Sequence, residues 1–347
     1  MKVSDSTTAM TSMITTAILQ RRLDTRTKPQ GSLGALETLG IQLGLALQTQ
    51  TPTFNAPQIF VFAADHGIAT DGVSAYPQSV TAQMLENYRN GGAAINVLAR
   101  QHGLALTVVD AGVARASGQS PPPANWIASG TRNFRNEPAM DAEQCTRAVD
   151  TGRRLVADAV RNGSNALLLG EMGIGNTACA ALLLHRRTGW PLEECVGRGT
   201  GLDDAALDRK RRRLAEASAR CARALTPVET LVEFGGFEIA MLTGALLETA
   251  RHRCIAVVDG FAVSVAALLA LEIDPQVRSH CVFSHCSAET GHRKLLSHLD
   301  ARPLLDLQMR LGEGSGAALA WPLIDATARL MTQMASFESA GVDDRAS

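Results

Sequence analysis

Aromatic side chains make up only 4% of the 347-residue chain, and its formal net charge is -1. The first scarcity leaves alanine, leucine, valine and glycine to build the core, and a hydrophobic share of 46% is enough for a sizeable one. The second argues against a nucleic-acid or membrane-surface partner, whose phosphates ask for a basic field. No apolar run approaches the roughly 18 residues that a membrane-spanning helix needs. The seven cysteines are an odd, scattered set without a CxxC, which fits a reducing cytoplasm better than a disulfide framework. The opening "MKVSDSTTAMTSMITTAIL" is threonine-rich and lacks the continuous apolar centre of a secretory signal. These absences leave the expectation of a soluble, cytoplasmic protein.

What is there is a set of five short β-like runs: "IFVFAADHG" (59–67), "LTVVDAG" (106–112), "ALLLGEMG" (166–173), "CIAVVDG" (254–260) and "HCVFSH" (280–285). Near-continuous apolar runs bounded by turn residues predict strands buried on both faces, hence a parallel sheet covered by helices. Helical patterns such as "TACAALLLHRR" (177–187) and "AVSVAALLALE" (262–272) alternate with them, so the expected fold class is doubly wound α/β. At about 150 residues per domain the length suits two domains. We expect a large α/β substrate-binding domain over 50–300 and a small helical domain built from both ends, 1–49 and 301–347. "SGQSPPPANW" (117–126) reads as a loop, because consecutive prolines exclude helix and sheet interior, and "SFESAGVDDRAS" (336–347) as a frayed tail.

In such sheets ligands bind beyond the carboxyl ends of the strands. Those ends carry Asp65, His66, Asp110, Glu171, Asp259 and His285, although Asp and Gly also terminate strands for purely structural reasons. "GEMGIGNTACAALL" (170–183) is a strand, a glycine turn and a helix whose N-cap is expected at Asn176 or Thr177. Its free N–H groups make an anion site, or else a tight connection without a ligand. It is neither GxGxxG nor a Walker loop, which weakens dinucleotide and triphosphate readings. "DHGIATDGVSAYPQSVTAQML" (65–85) offers Ser74, Tyr76 and Gln83 either to a pocket for a flat ligand or to a structural loop. "DRKRRRLAEASARCARAL" (208–225) holds five consecutive basic residues on a helix whose stripe is Leu207, Leu214, Cys221 and Leu225. Its default is a solvated face, with one cation reaching a phosphate as the sharper alternative.

"SHCVFSHCSAETGH" (279–292) offers His280, Cys281, His285, Cys286 and His292 as metal ligands. The odd spacing of His280 and His285 puts them on opposite faces of a strand, so packed or hydrogen-bonded side chains are the better reading. "VVDGFAVS" (257–264) superficially suggests a diphosphate-ribose loop but lacks the second acid and the Thr-Thr-Gly of one. "RLGEGSGAAL" (310–319) sets Glu313 between two glycines. Glycine costs about 1 kcal/mol inside a helix, so this stretch predicts a turn that brings backbone close to something.

Together these segments resemble the nicotinate-nucleotide–dimethylbenzimidazole phosphoribosyltransferases of cobalamin lower-ligand assembly. The matching stretches are "TKPQGSLGALE", "AADHGIATDGVSAYPQSVTAQML", "GEMGIGNTACAALL", "GRGTGLDD", "FGGFEIAMLTGALL", "VVDGFAVSVAALLA" and "RLGEGSGAALA", spanning about 27 to 320. Gln30 and Ala35 depart from the family pattern, where proline and arginine are usual. The resemblance implies a Rossmann-like domain with a small helical domain, and a homodimer. It also implies a glycosyltransferase moving 5-phosphoribosyl from nicotinate mononucleotide to 5,6-dimethylbenzimidazole, giving α-ribazole 5′-phosphate and nicotinate.

Glu313 matches the family's catalytic glutamate. Ser74, Tyr76 and Gln83 fall in the segment lining the base pocket. Glu171, Gly173, Ile174, Gly175, Asn176, Thr177, Lys210, Ser287 and Gly312 fall in segments holding the ribose phosphate. No metal or other cofactor is implied, since this donor carries no diphosphate. Two other classes remain open on residues alone: a metal-dependent hydrolase using Asp65, His66, His285 and Cys286, and a nucleotide-binding regulatory protein.

Overall fold

The computed structural model of the chain describes residues 13–115, 122–199 and 201–343. Helices α1 (Thr16–Asp24) and α2 (Ala35–Ala46) precede strand β1 (Gln58–Ala64). A short 3-10 turn, α3 (Ser79–Arg89) and α4 (Ala94–His102) lead to β2 (Ala105–Gly112), and α5 (Ala142–Arg161) leads to β3 (Ala166–Met172). Then come α6 (Asn176–Thr188), α7 (Leu192–Cys195), α8 (Asp204–Arg220), α9 (Pro227–Phe234) and α10 (Phe237–Arg251) before β4 (Ile255–Val258). Helices α11 (Phe261–Ile273) and α12 (Val277–His280) precede β5 (Cys281–Phe283); α13 (His292–His298), α14 (Ser315–Gln333) and α15 (Phe337–Ala340) close the chain.

The five strands form one wholly parallel sheet in the order β2-β1-β3-β4-β5, an α/β architecture. β1, β3, β4 and β5 are buried almost end to end, which is why they read as unbroken apolar runs. The chain reverses its direction of travel across the sheet between β1 and β3, a topological switch point that opens a crevice at the strands' carboxyl ends. Helices α10 and α11 are buried on nearly every face. Gly152 of α5 and Gly244 of α10 permit that packing: a Cβ on either would run into backbone of the opposite helix, at Met241 and Val149 respectively.

By contact density the chain divides into two compact units, one of residues 54–325 and one joining the chain up to Thr53 to the chain from Ala326. The second unit packs Leu19, Leu23 and Met331 into a small core, and Arg26 donates to the carbonyls of Met331 and Met334. In "TKPQGSLGALE" the Lys28 ammonium donates to Glu37 at 2.7 Å, so this stretch is held by its own buried ion pair.

Several expectations need correction. The stretch from 336 is not a frayed tail as far as it is described: Ser336 caps α15 through Ser339 and pairs with Arg26 in a β-bridge. His280 ends α12 and His285 lies past β5, so the two never share a strand. Helix α8 stops at Arg220, leaving Cys221 at its cap and Leu225 beyond it. Residues 1–12, within the reading of the opening segment, and 116–121, within the proline loop, lie outside the described residues.

Candidate active site

The three residues Gly312, Glu313 and Gly314 all adopt left-handed backbone, with φ of 82°, 64° and 81°. Two of them being glycine makes the turn accessible; Glu313 itself is held there against its preference. Its N–H donates to the Glu171 carbonyl at the end of β3 (3.1 Å), and a Cβ on Gly170 would collide with the backbone of Gly314. Asp259, at the end of β4, accepts from the N–H groups of Gly314 and Ala317, each at 3.1 Å. One strand end therefore seats the turn and another seats the start of α14.

Burial and mutual repulsion govern the titration of these acids. Glu171 is pushed well above the ordinary glutamate range, first by desolvation and then by Asp259, Glu238 and Glu313; Asn176, whose amide donates to it, opposes this. Asp259 is raised by burial, against the pull of His285 and its backbone donors. Glu313 is also raised by burial, while the Ile95 N–H and the Tyr88 phenol favour its ionised form. Its Oε2 is buried without a hydrogen-bond partner. An unsatisfied buried carboxylate oxygen is expensive unless something else comes to meet it.

Beside the turn lies a cavity lined by Glu171, Gly173, Ile174, Asn176, Thr177, Ser287 and Gly312, seven of the nine residues expected to hold a ribose phosphate. Gly175 is the N-cap of α6 with φ 100°, and a Cβ there would press on His66. The expected cap at Asn176 or Thr177 is thus corrected to Gly175. Asn176 turns its amide to Glu171 rather than capping, so the first N–H groups of α6 have no side-chain cap. Lys210 is fully buried, donating to Thr177 Oγ1 and to the Gly197 carbonyl at 3.1 Å each. Burial lowers its pKa to about 8, although Glu289 nearby raises it. Arg310, reaching the Gly199 carbonyl at 3.2 Å, lines the cavity, whereas Lys210 stands behind its Thr177 and does not.

The other candidates are arranged differently. Ser74, Tyr76 and Gln83 share the segment entering α3, but Tyr76 and Gln83 are exposed and none lines the cavity. Asp110 accepts from the N–H groups of Gly112 and Val113, and Asp65 from that of Ala114, so both stitch strand ends. His66 pairs with Glu238 at 2.7 Å in full burial, His285 bonds Ser284, and Cys286 lies beside its neighbour's carbonyl. His280 bonds the Cys254 carbonyl. His292 accepts the Ser287 N–H at 2.8 Å, and burial depresses its pKa to about 3, so it is a neutral support for Ser287.

Comparison with known proteins decides the family. A family model described as phosphoribosyltransferase matches residues 10–342. A nicotinate-nucleotide–dimethylbenzimidazole phosphoribosyltransferase from Cupriavidus taiwanensis is 54% identical, with 94% of each chain covered. The chain belongs to this phosphoribosyltransferase family. A family protein of the same name from Vibrio vulnificus is 44% identical over 94% of this chain and 97% of its own. A crystal structure of CobT from Thermus thermophilus superimposes with a TM-score of 0.90 at 42% identity, covering 94% of this chain and 98% of that one.

Within this family frame, sequence reasoning overlooked three residues that the fold brings to the site, Tyr88, Glu289 and Arg310, and named His292 only as a possible metal ligand. Tyr88 had a signal, since Thr81, Leu85 and Tyr88 follow the 4-then-3 spacing of one α3 face, all buried. Arg310 stands two residues before Gly312. Glu289 had none: its place beside Lys210 and Gly197 exists only in the folded chain.

Proposed function

We propose that this phosphoribosyltransferase transfers the 5-phosphoribosyl group of nicotinate mononucleotide to 5,6-dimethylbenzimidazole, yielding α-ribazole 5′-phosphate and nicotinate, with Glu313 as general base. The observation that carries the reading is the seating of Glu313. Its carboxyl is buried with one oxygen unpartnered, on a turn with the cavity on one side and α3 and α4 on the other. The curated relatives that bear this enzyme's name support it across nearly the whole chain.

The chemistry needs few groups. The leaving nitrogen of nicotinate mononucleotide is a pyridinium, so it departs neutral without an acid, whereas glycosidases need a second carboxyl for that step. The attacking benzimidazole carries a proton on its other nitrogen, and Glu313 accepts it as positive charge develops, a gain of about 10²–10⁴-fold. The phosphate takes the uncapped N–H groups of α6 together with Lys210 and Arg310. Glu171, which lines the cavity and is held toward its neutral form by burial, is ill-suited to the phosphate and meets the ribose hydroxyls instead. Ser74, Tyr76 and Gln83 receive the base from the α3 side.

A homodimer in the cytoplasm belongs to the same proposal, with the terminal unit as its small helical domain; seven cysteines with no disulfide among them support the reducing compartment. Incubating the protein with nicotinate mononucleotide and 5,6-dimethylbenzimidazole should release nicotinate and α-ribazole 5′-phosphate in equal amounts. Nicotinate release with water as the only acceptor would instead make it a nucleotide hydrolase.

A further inference from the structure

Tyr88 stands on the buried face of α3, and its hydroxyl is one of the few buried polar groups among the described residues without a hydrogen-bond partner. Glu313 Oε2 is another. The two lie close enough for each to act on the other's titration, while neither atom has a partner at ordinary hydrogen-bond distance. Two buried, unpartnered groups that act on each other's titration indicate a contact that tightens when the site fills, because catalytic hydrogen bonds tighten in the substrate complex. The helix is anchored for this. Thr81 Oγ1 accepts the Ile174 N–H at 3.1 Å, fixing α3 to the turn before α6, and the Asn96 amide donates to the Tyr88 carbonyl at 3.0 Å.

We propose that Tyr88 is a positioning residue: its phenol donates to one oxygen of ionised Glu313 in the substrate complex and aims the other at the N–H of the incoming base. The inference rests on Glu313 acting as general base. Tyr88 keeps its own proton throughout; the proton that moves goes from the benzimidazole nitrogen to Glu313. Three other groups face Glu313: the Ile95 N–H from α4, Asp259 after β4 and Glu171 at the end of β3. Burial and Asp259 oppose its ionisation, so the phenol and the Ile95 N–H are what counter them, while Glu313 in turn opposes the ionisation of Glu171.

Tyr88→Phe keeps the ring and removes a hydroxyl with no partner at ordinary hydrogen-bond distance, so it should fold. The pH dependence of kcat tests the idea. We expect the acidic limb to move up by about one unit, which is about tenfold lower kcat on that limb, with KM for nicotinate mononucleotide unchanged. An unmoved limb, or a uniform fall in kcat at every pH, overturns the proposal. A second reading needs no turnover. The chain has two tyrosines, and Tyr76 is half exposed. Ionisation of Glu313 should perturb the near-ultraviolet absorbance of the buried tyrosine as pH rises, a step that Glu313→Gln and Tyr88→Phe should each abolish; the same step in either variant would overturn the contact. If Glu313→Gln retains wild-type turnover while the step is lost, the general-base reading fails and the contact stands.

Discussion

At the scale of single residues, the site concentrates acids that burial keeps from ionising freely. Glu171 is the clearest case. Its pKa in the folded chain lies well above the ordinary value, so the fold disfavours its charged form. The stability it allows is greatest below its unfolded pKa of about 4.3 and falls as pH rises toward the folded value. Glu171→Gln should therefore raise the thermal midpoint at pH 7, lose that gain at acid pH, and still lower turnover. A variant with a reduced midpoint at pH 7 would contradict the raised titration. Glu313 differs from Glu171 in its strained backbone as well as its unpartnered oxygen. A non-glycine residue held at positive φ costs about 1–3 kcal/mol, which packing on Glu171 and Asp259 must offset.

At the scale of elements, helix phase decides which of five adjacent cations turns inward. The five basic residues from Arg209 to Arg213 are chemically alike, but the α8 stripe runs through Ala206, Leu207, Lys210, Leu214 and Ala217. Lys210 lies three residues after Leu207 and four before Leu214, so its inward turn was legible in the spacing. Its depth was not, because that depends on Thr177 and Gly197 arriving from other elements. With a pKa of about 8, the ammonium loses its proton as pH rises through that value. KM for nicotinate mononucleotide should climb above pH 8 in the wild type. Lys210→Met should raise KM by about tenfold or more at pH 7, in the range of a lost charged hydrogen bond, and abolish the alkaline climb. Steady-state kinetics across pH checks both. The strands were equally legible, since their burial on both faces writes itself as continuous apolar runs. The cap of α6 was misplaced because Asn176, a good capper by type, is drawn to Glu171 instead.

At the scale of the whole molecule, the sheet gathers side chains that sequence distance hides. His66 and Glu238 are separated by 172 positions and meet in full burial, which no local pattern announces. The frame that does this relies on close helix packing: Gly152→Ala or Gly244→Ala should cost about 1–3 kcal/mol or more, since each methyl meets backbone that has no side-chain rotamer to yield. Denaturant unfolding would measure it; an unchanged midpoint would mean that α5 and α10 lie farther apart. Catalysis is the product of this assembly, and its central claim is that one carboxylate suffices as base. The most direct measurement is kcat of Glu313→Gln at saturating nicotinate mononucleotide and 5,6-dimethylbenzimidazole, with nucleotide binding and thermal midpoint taken on the same protein. The account predicts intact folding and binding with turnover reduced by about a hundredfold or more. Turnover within a few-fold of wild type in that folded, nucleotide-binding variant would contradict it.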